Sequence, residues 1–107
     1  MYIMYILRNG NTNQYKIGIT NKLNRRLKEL QTGCPLELQV VKIWTHYQRE
    51  TIEKYERVLH NYFTQCGCRI RENGEWFMLT KADINFLCKP NGIKEQNEAI
   101  KILLEML

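Results

Sequence analysis

Apolar residues are spaced along this chain in two rhythms, one suited to strands and one to helices. Tyr2–Leu7 mixes tyrosine with isoleucine and predicts a strand. Tyr15–Ile19 alternates aromatic or β-branched residues with Lys16 and Gly18 and predicts another. Between them Asn9-Gly10-Asn11-Thr12-Asn13 is turn chemistry, so the two segments read as a hairpin with a loop longer than the tightest type. Leu23, Leu27 and Leu30 then fall on one stripe of a helix that Thr20 or Asn21 can cap, that Gly33 closes and that Pro35 blocks. Leu38–Trp44 predicts a third strand, and a second helix runs from about Arg49 to Thr64 with Ile52, Tyr55, Leu59, Tyr62 and Phe63 inward. A turn at Arg71-Glu72-Asn73-Gly74 leads to a short strand, Glu75–Leu79, and a brief helix, Ala82–Leu87, stopped by Pro90-Asn91-Gly92. The segment Ile93–Leu107 is amphipathic through Ile93, Ile100, Leu103, Leu104 and Leu107, and is expected to pack across the sheet or against another copy. The order implies an α+β fold on a small antiparallel sheet, with residues 1–90 as the main domain and 91–107 as a C-terminal amphipathic helix.

A length of 107 residues suits one domain with a modest core. No apolar run is long enough to span a bilayer. The apolar N-terminus has neither a basic leader nor a small-residue cleavage site, so a cytoplasmic protein is expected. Charge is distributed unevenly. Residues 1–33 carry Arg8, Lys16, Lys22, Arg25, Arg26 and Lys28 against the single acid Glu29, while the remainder is balanced, so the whole net charge of +5 lies on the hairpin and first helix. Such a face attracts polyanions, nucleic acid above all, in a salt-sensitive way; a solvated lysine-rich surface is the plainer alternative. Cys34, Cys66, Cys68 and Cys88 have the spacing of neither a zinc knuckle nor a disulfide framework and read as reduced thiols.

Two side chains stand out on the helices. Arg26 lies about 60° from Leu23, at the edge of the apolar stripe, where its guanidinium can hold a phosphate through two parallel hydrogen bonds or simply shield the leucines. Arg25 and Lys28 point outward. Glu56 lies about 40° from Ile52, inside the second helix's apolar stripe rather than beside it. An ionised carboxylate there costs on the order of several kcal/mol unless it is paired, with Arg26 as the natural partner, or bound to a metal. One carboxylate with several waters is how magnesium commonly sits on proteins that act on phosphates. His60 follows Glu56 by one turn and is either a hydrogen-bonded core residue or a group that supports or shuttles a proton. Trp76 is a core or rim aromatic, or a platform for a base.

Taken in order, these residues resemble the GIY-YIG nuclease superfamily, in particular its compact phage and cellular branch. The resemblance is carried by Ile3-Met4-Tyr5, Tyr15-Lys16-Ile17-Gly18, Arg26, Gln31-Thr32-Gly33-Cys34-Pro35, Glu56 with His60, and Gly74-Glu75-Trp76-Phe77, across residues 2–79. It implies a three-stranded antiparallel sheet flanked by helices, here with an extra short strand and C-terminal helices. It further implies that Tyr5 deprotonates or orients the attacking water, that Gly18 allows close backbone approach, that Arg26 contacts the scissile phosphate, and that Glu56 holds a single Mg²⁺ or Mn²⁺. Two positions depart from the pattern: Ile3 replaces the glycine of the first signature, and Lys16 replaces the tyrosine of the second. Lys16 can hold a phosphate or lower the pKa of Tyr5, or it can mark a domain that binds without cutting.

The expected function is metal-dependent cleavage of DNA, or of RNA. Tyr5, Lys16, Arg26, Glu56 and His60 are the catalytic candidates, and Arg8, Lys22, Arg25, Lys28 and Trp76 are the nucleic-acid contacts. A catalytically silent binding module of the same fold is the alternative, and a homodimer formed through the C-terminal helix is a further possibility. Strand register, which decides whether Tyr5 and Lys16 share a face, is left open by the sequence.

Overall fold

Strand pairing in the computed structural model settles that register. The structure describes residues 1–70 and 74–88; the turn expected at Arg71-Glu72-Asn73-Gly74, except Gly74 itself, and the C-terminal segment 91–107 lie outside them. Strands β1 (Tyr2–Asn9) and β2 (Gln14–Thr20) form the hairpin, followed by helix α1 (Leu23–Thr32), strand β3 (Leu38–His46), helix α2 (Arg49–Gln65), strand β4 (Trp76–Met78) and helix α3 (Lys81–Leu87). The four described strands make one sheet in the order β3-β1-β2-β4, with every neighbouring pair antiparallel. The architecture is α+β, and the short strand at Trp76–Met78 completes the sheet rather than standing apart from it.

Alternation along β1 divides its side chains between two environments. Met4 and Ile6, with Ile17 of β2 and Phe77 of β4, face α2 and make the main core with Ile52, Leu59 and Phe63. Val58 also belongs to that core, so the buried stripe of α2 is wider than its strongest apolar positions suggest. Helix α3 closes one end with Leu87, and a capping box holds its start: Thr80 Oγ1 accepts from the Asp83 N–H at 3.1 Å while Asp83 Oδ2 accepts from the Thr80 N–H at 2.9 Å.

Tyr5 and Leu7 are just as buried but stand outside that core, on the opposite face of β1. The connection from β2 to β3 must cross β1, which those strands flank, and α1 crosses on this face, where Arg26 meets Tyr5. Its inward residues Leu23, Arg26, Leu27 and Leu30 are only half-buried. The start of α1 differs from expectation. Lys22 occupies the N-cap without a side-chain bond, and Thr20 Oγ1 instead accepts from the Lys22 N–H at 3.1 Å. Gly33 ends the helix at φ −97°, which requires no glycine, so Pro35 is the stronger stop. A register shift between Ile6 and Leu7 places one extra residue in β3, leaving Val41 against the core while Ile43 pairs with Tyr5.

Candidate active site

Tyr5 pairs directly with Gly18, and Leu7 with Lys16. Paired residues in an antiparallel ladder share a face, so Tyr5, Lys16 and Gly18 lie together beneath α1. Trp76 joins them because it pairs with Lys16 from β4. The phenol of Tyr5 lies flat across Gly18. A Cβ on that glycine would land on the tyrosine hydroxyl and come within 2.6 Å of Cζ, so only glycine lets the ring occupy this position.

Arg26 reaches down from α1 to the Tyr5 hydroxyl, and its charge and hydrogen bond favour the phenolate. Burial acts the other way and is the larger effect, helped by the negative charges of Glu75 and Glu56, so the Tyr5 pKa stands above that of a free tyrosine. The cation acting on Tyr5 is thus Arg26, the role the sequence suggested for Lys16. Arg26 also contacts Glu29 at 3.3 Å, and Glu29 holds Arg25 at the same distance, so one carboxylate steadies both arginines.

Lys16 is buried, with its Nζ 2.9 Å from Glu75 Oε2 and 5.5 Å from the centre of the Trp76 ring. An exposed ion pair of this length stabilises little, but here the ammonium is withdrawn from water and the pair fixes its position.

Glu56 is half-buried on α2 and makes no hydrogen bond or ion pair with any of the described residues. Arg26, its natural partner on the sequence alone, is engaged by Tyr5 and Glu29 instead. Burial chiefly, then the charges of Glu75 and Glu53, raise the Glu56 carboxyl to about 7, against the smaller opposing effect of Lys16. A carboxylate left without a cation in a negative, partly dry setting has the character of a ligand for an added cation. Among the described residues no three His, Cys, Asp or Glu side chains gather as a metal cage, so a cation here would rest on one or two carboxylates and water.

His60, one turn beyond Glu56, has both ring nitrogens engaged. Nδ1 faces Arg69 Nη2 at 3.3 Å, which makes it the acceptor, so Nε2–H donates to the Ile17 carbonyl at 2.7 Å. Burial lowers its pKa and keeps the ring neutral. It ties α2 to the Ile17 carbonyl of β2; no nitrogen is left to shuttle a proton.

The remaining candidates divide. Lys22, Arg25 and Lys28 are exposed on α1, beside Arg26. Arg8 is elsewhere: it lies on the core side of β1, where Nε donates to the Thr12 carbonyl at 2.8 Å and Nη2 to that of Asn11 at 3.2 Å, holding the hairpin loop. Arg69 was not singled out from the sequence, and Glu75 entered only within the Gly74-Glu75-Trp76-Phe77 motif, with no role given to it. The ion pair of Glu75 with Lys16 is legible only once Trp76 is known to pair with Lys16 across the strands, and Arg69 carries no local signal.

The sheet thus brings a tyrosine, an arginine from a basic helix and a lysine to one face, with Glu56 close enough to act on the tyrosine through its charge. The chain belongs to the T5orf172 domain family, whose model matches residues 1–91. That family is associated with nuclease-like phage proteins. Comparison with curated proteins gives no match, and comparison with solved structures gives none either.

Proposed function

We propose that this chain is an endonuclease of the GIY-YIG type, hydrolysing phosphodiester bonds of DNA with one divalent cation. The observation that carries the reading is the half-buried Glu56, unpaired among the described residues and close enough for its charge to act on a tyrosine that is itself locked over Gly18 and touched by Arg26. Arg26 holds the scissile phosphate and meets the charge that builds on it. Tyr5, protonated at neutral pH, orients the attacking water through its hydroxyl rather than deprotonating it outright. Lys16, paired with Glu75, borders the site, and His60 ties α2, the helix that carries Glu56, to β2. Glu56 would hold Mg²⁺ or Mn²⁺, with Glu75 adding negative potential; the cation's contribution is charge that stabilises the departing oxygen.

A second reading, a binding module without chemistry, is favoured by one observation: Lys16 stands where a second phenol is expected and is already neutralised by Glu75. Cleavage of supercoiled plasmid and of single strands with Mg²⁺ or Mn²⁺ separates the two. Arg26→Ala is expected to lower the rate about 100-fold or more and Glu56→Ala to abolish it. Activity unchanged in both variants refutes the nuclease assignment, and salt-sensitive binding with no products in any cation establishes the binding module.

A further inference from the structure

We propose that the hollow beside Lys16 is a pocket for one unpaired nucleobase, so that this domain prefers nucleic acid carrying an unpaired nucleotide next to the bond it addresses. The inference rests on the nuclease reading above and deepens it by naming the class of substrate. The cavity measures about 550 Å³ and is lined by Asn9, Gln14, Lys16, Ile70, Glu75 and Trp76, among others. That size falls within the range of about 300–1,000 Å³ usual for small-ligand sites. Gln14 and Lys16 alternate on the same face of β2 as Gly18, so the hollow opens on the Tyr5 side of the sheet. Lys16 belongs to both, and a base seated in the hollow therefore keeps its own phosphate close to the cations of the site.

The walls suit a base. Trp76 is half-buried and supplies a flat π-surface, and Ile70 adds exposed apolar area. A chain of side-chain bonds sets the polar end. The Cys34 thiol lies 3.2 Å from Asn9 Oδ1 and donates to it, which turns the Asn9 amide nitrogen toward Gln14. That nitrogen donates to Gln14 Oε1 at 3.1 Å. Gln14 is thereby left presenting its N–H groups, which make no bond among the described residues. A donor fixed beside an aromatic plane matches the carbonyl edge of a base such as thymine. A base still paired and stacked in a duplex cannot enter, whereas a bulged or single-stranded one can.

The test compares two labelled duplexes, identical except for one extrahelical thymidine, binding to the full chain without divalent cation. The bulged duplex is expected to bind about tenfold tighter and to quench tryptophan fluorescence, as one base–indole stack allows. Gln14→Ala and Trp76→Ala are each expected to bring the preference toward one, with Gln14→Ala leaving affinity for the perfect duplex unchanged. Trp76→Phe keeps most of the preference and serves where Trp76→Ala fails to fold. Equal binding of the two duplexes by a chain that still cleaves overturns the pocket and leaves the nuclease standing. A preference that survives Gln14→Ala at full strength overturns it too. A preference lost in Gln14→Ala in a chain that cuts nothing supports the pocket while the nuclease reading fails.

Discussion

Gly18 and Glu56 are the two positions where the cost of a side chain is most readily measured. Replacing Gly18 by alanine forces the Tyr5 ring aside, because hydroxyl and Cζ both occupy the space a methyl needs. The expected cost is about 1–3 kcal/mol in denaturant unfolding, with cleavage reduced about 100-fold or more. Adding Tyr5→Phe is expected to restore little, since the ring carbon remains in the way. Glu56 acts through protons. Its folded pKa of about 7 exceeds the ordinary 4.5, so between those values the folded chain binds more protons than the unfolded one. Cation-free stability therefore falls as pH rises through that window. Glu56→Gln is expected to match the parent near pH 4 and to exceed it by about 1–2 kcal/mol near pH 8, after allowance for the carboxyl's partial exposure. Thermal melts at the two pH values decide this, and Mg²⁺ is expected to raise the melting temperature of the parent but not of Glu56→Gln. Glu56 was legible in the sequence because a carboxylate interrupted a stripe that leucine would fill. Glu75 was legible only as part of a motif; its partnership with Lys16 was not, because it depends on a strand pairing more than fifty positions away in sequence.

At the level of elements, apolar spacing was sufficient to place all the described strands and helices within a few residues. What it missed were end chemistries. Thr20 and Asn21 are better N-cap residues than Lys22, yet the chain leaves β2 with Thr20 bonded to the Lys22 N–H, and the cap falls one residue later. Helix α3, by contrast, is short enough to depend on its capping box. Thr80→Ala is expected to cost about 1 kcal/mol and to loosen Leu87, measured by chemical denaturation. Trp44 offers the opposite case. Its Nε1 is buried with no hydrogen-bond partner among the described residues, so Trp44→Phe is expected to be neutral or slightly stabilising despite the loss of ring area.

Across the whole molecule, the unequal charge of the first third becomes a geometric fact: α1 holds Lys22, Arg25 and Lys28 around Arg26, at the mouth of the site. Arg25→Glu with Lys28→Glu is expected to weaken duplex binding at low salt about tenfold or more and to flatten its dependence on ionic strength, measured by anisotropy titration at several salt concentrations. Arg8→Ala is expected to leave that slope nearly unchanged, because its guanidinium is spent on the hairpin loop. Composition alone counted Arg8 with the others; only the face of β1 on which it stands separates them. Helix α1 also buries none of its residues fully and starts without a side-chain cap. Its backbone amides are thus expected to exchange with deuterium fastest among the described helices and to slow once a polyanion is bound, so the arm that delivers the arginine is tightened by the very strand it grips.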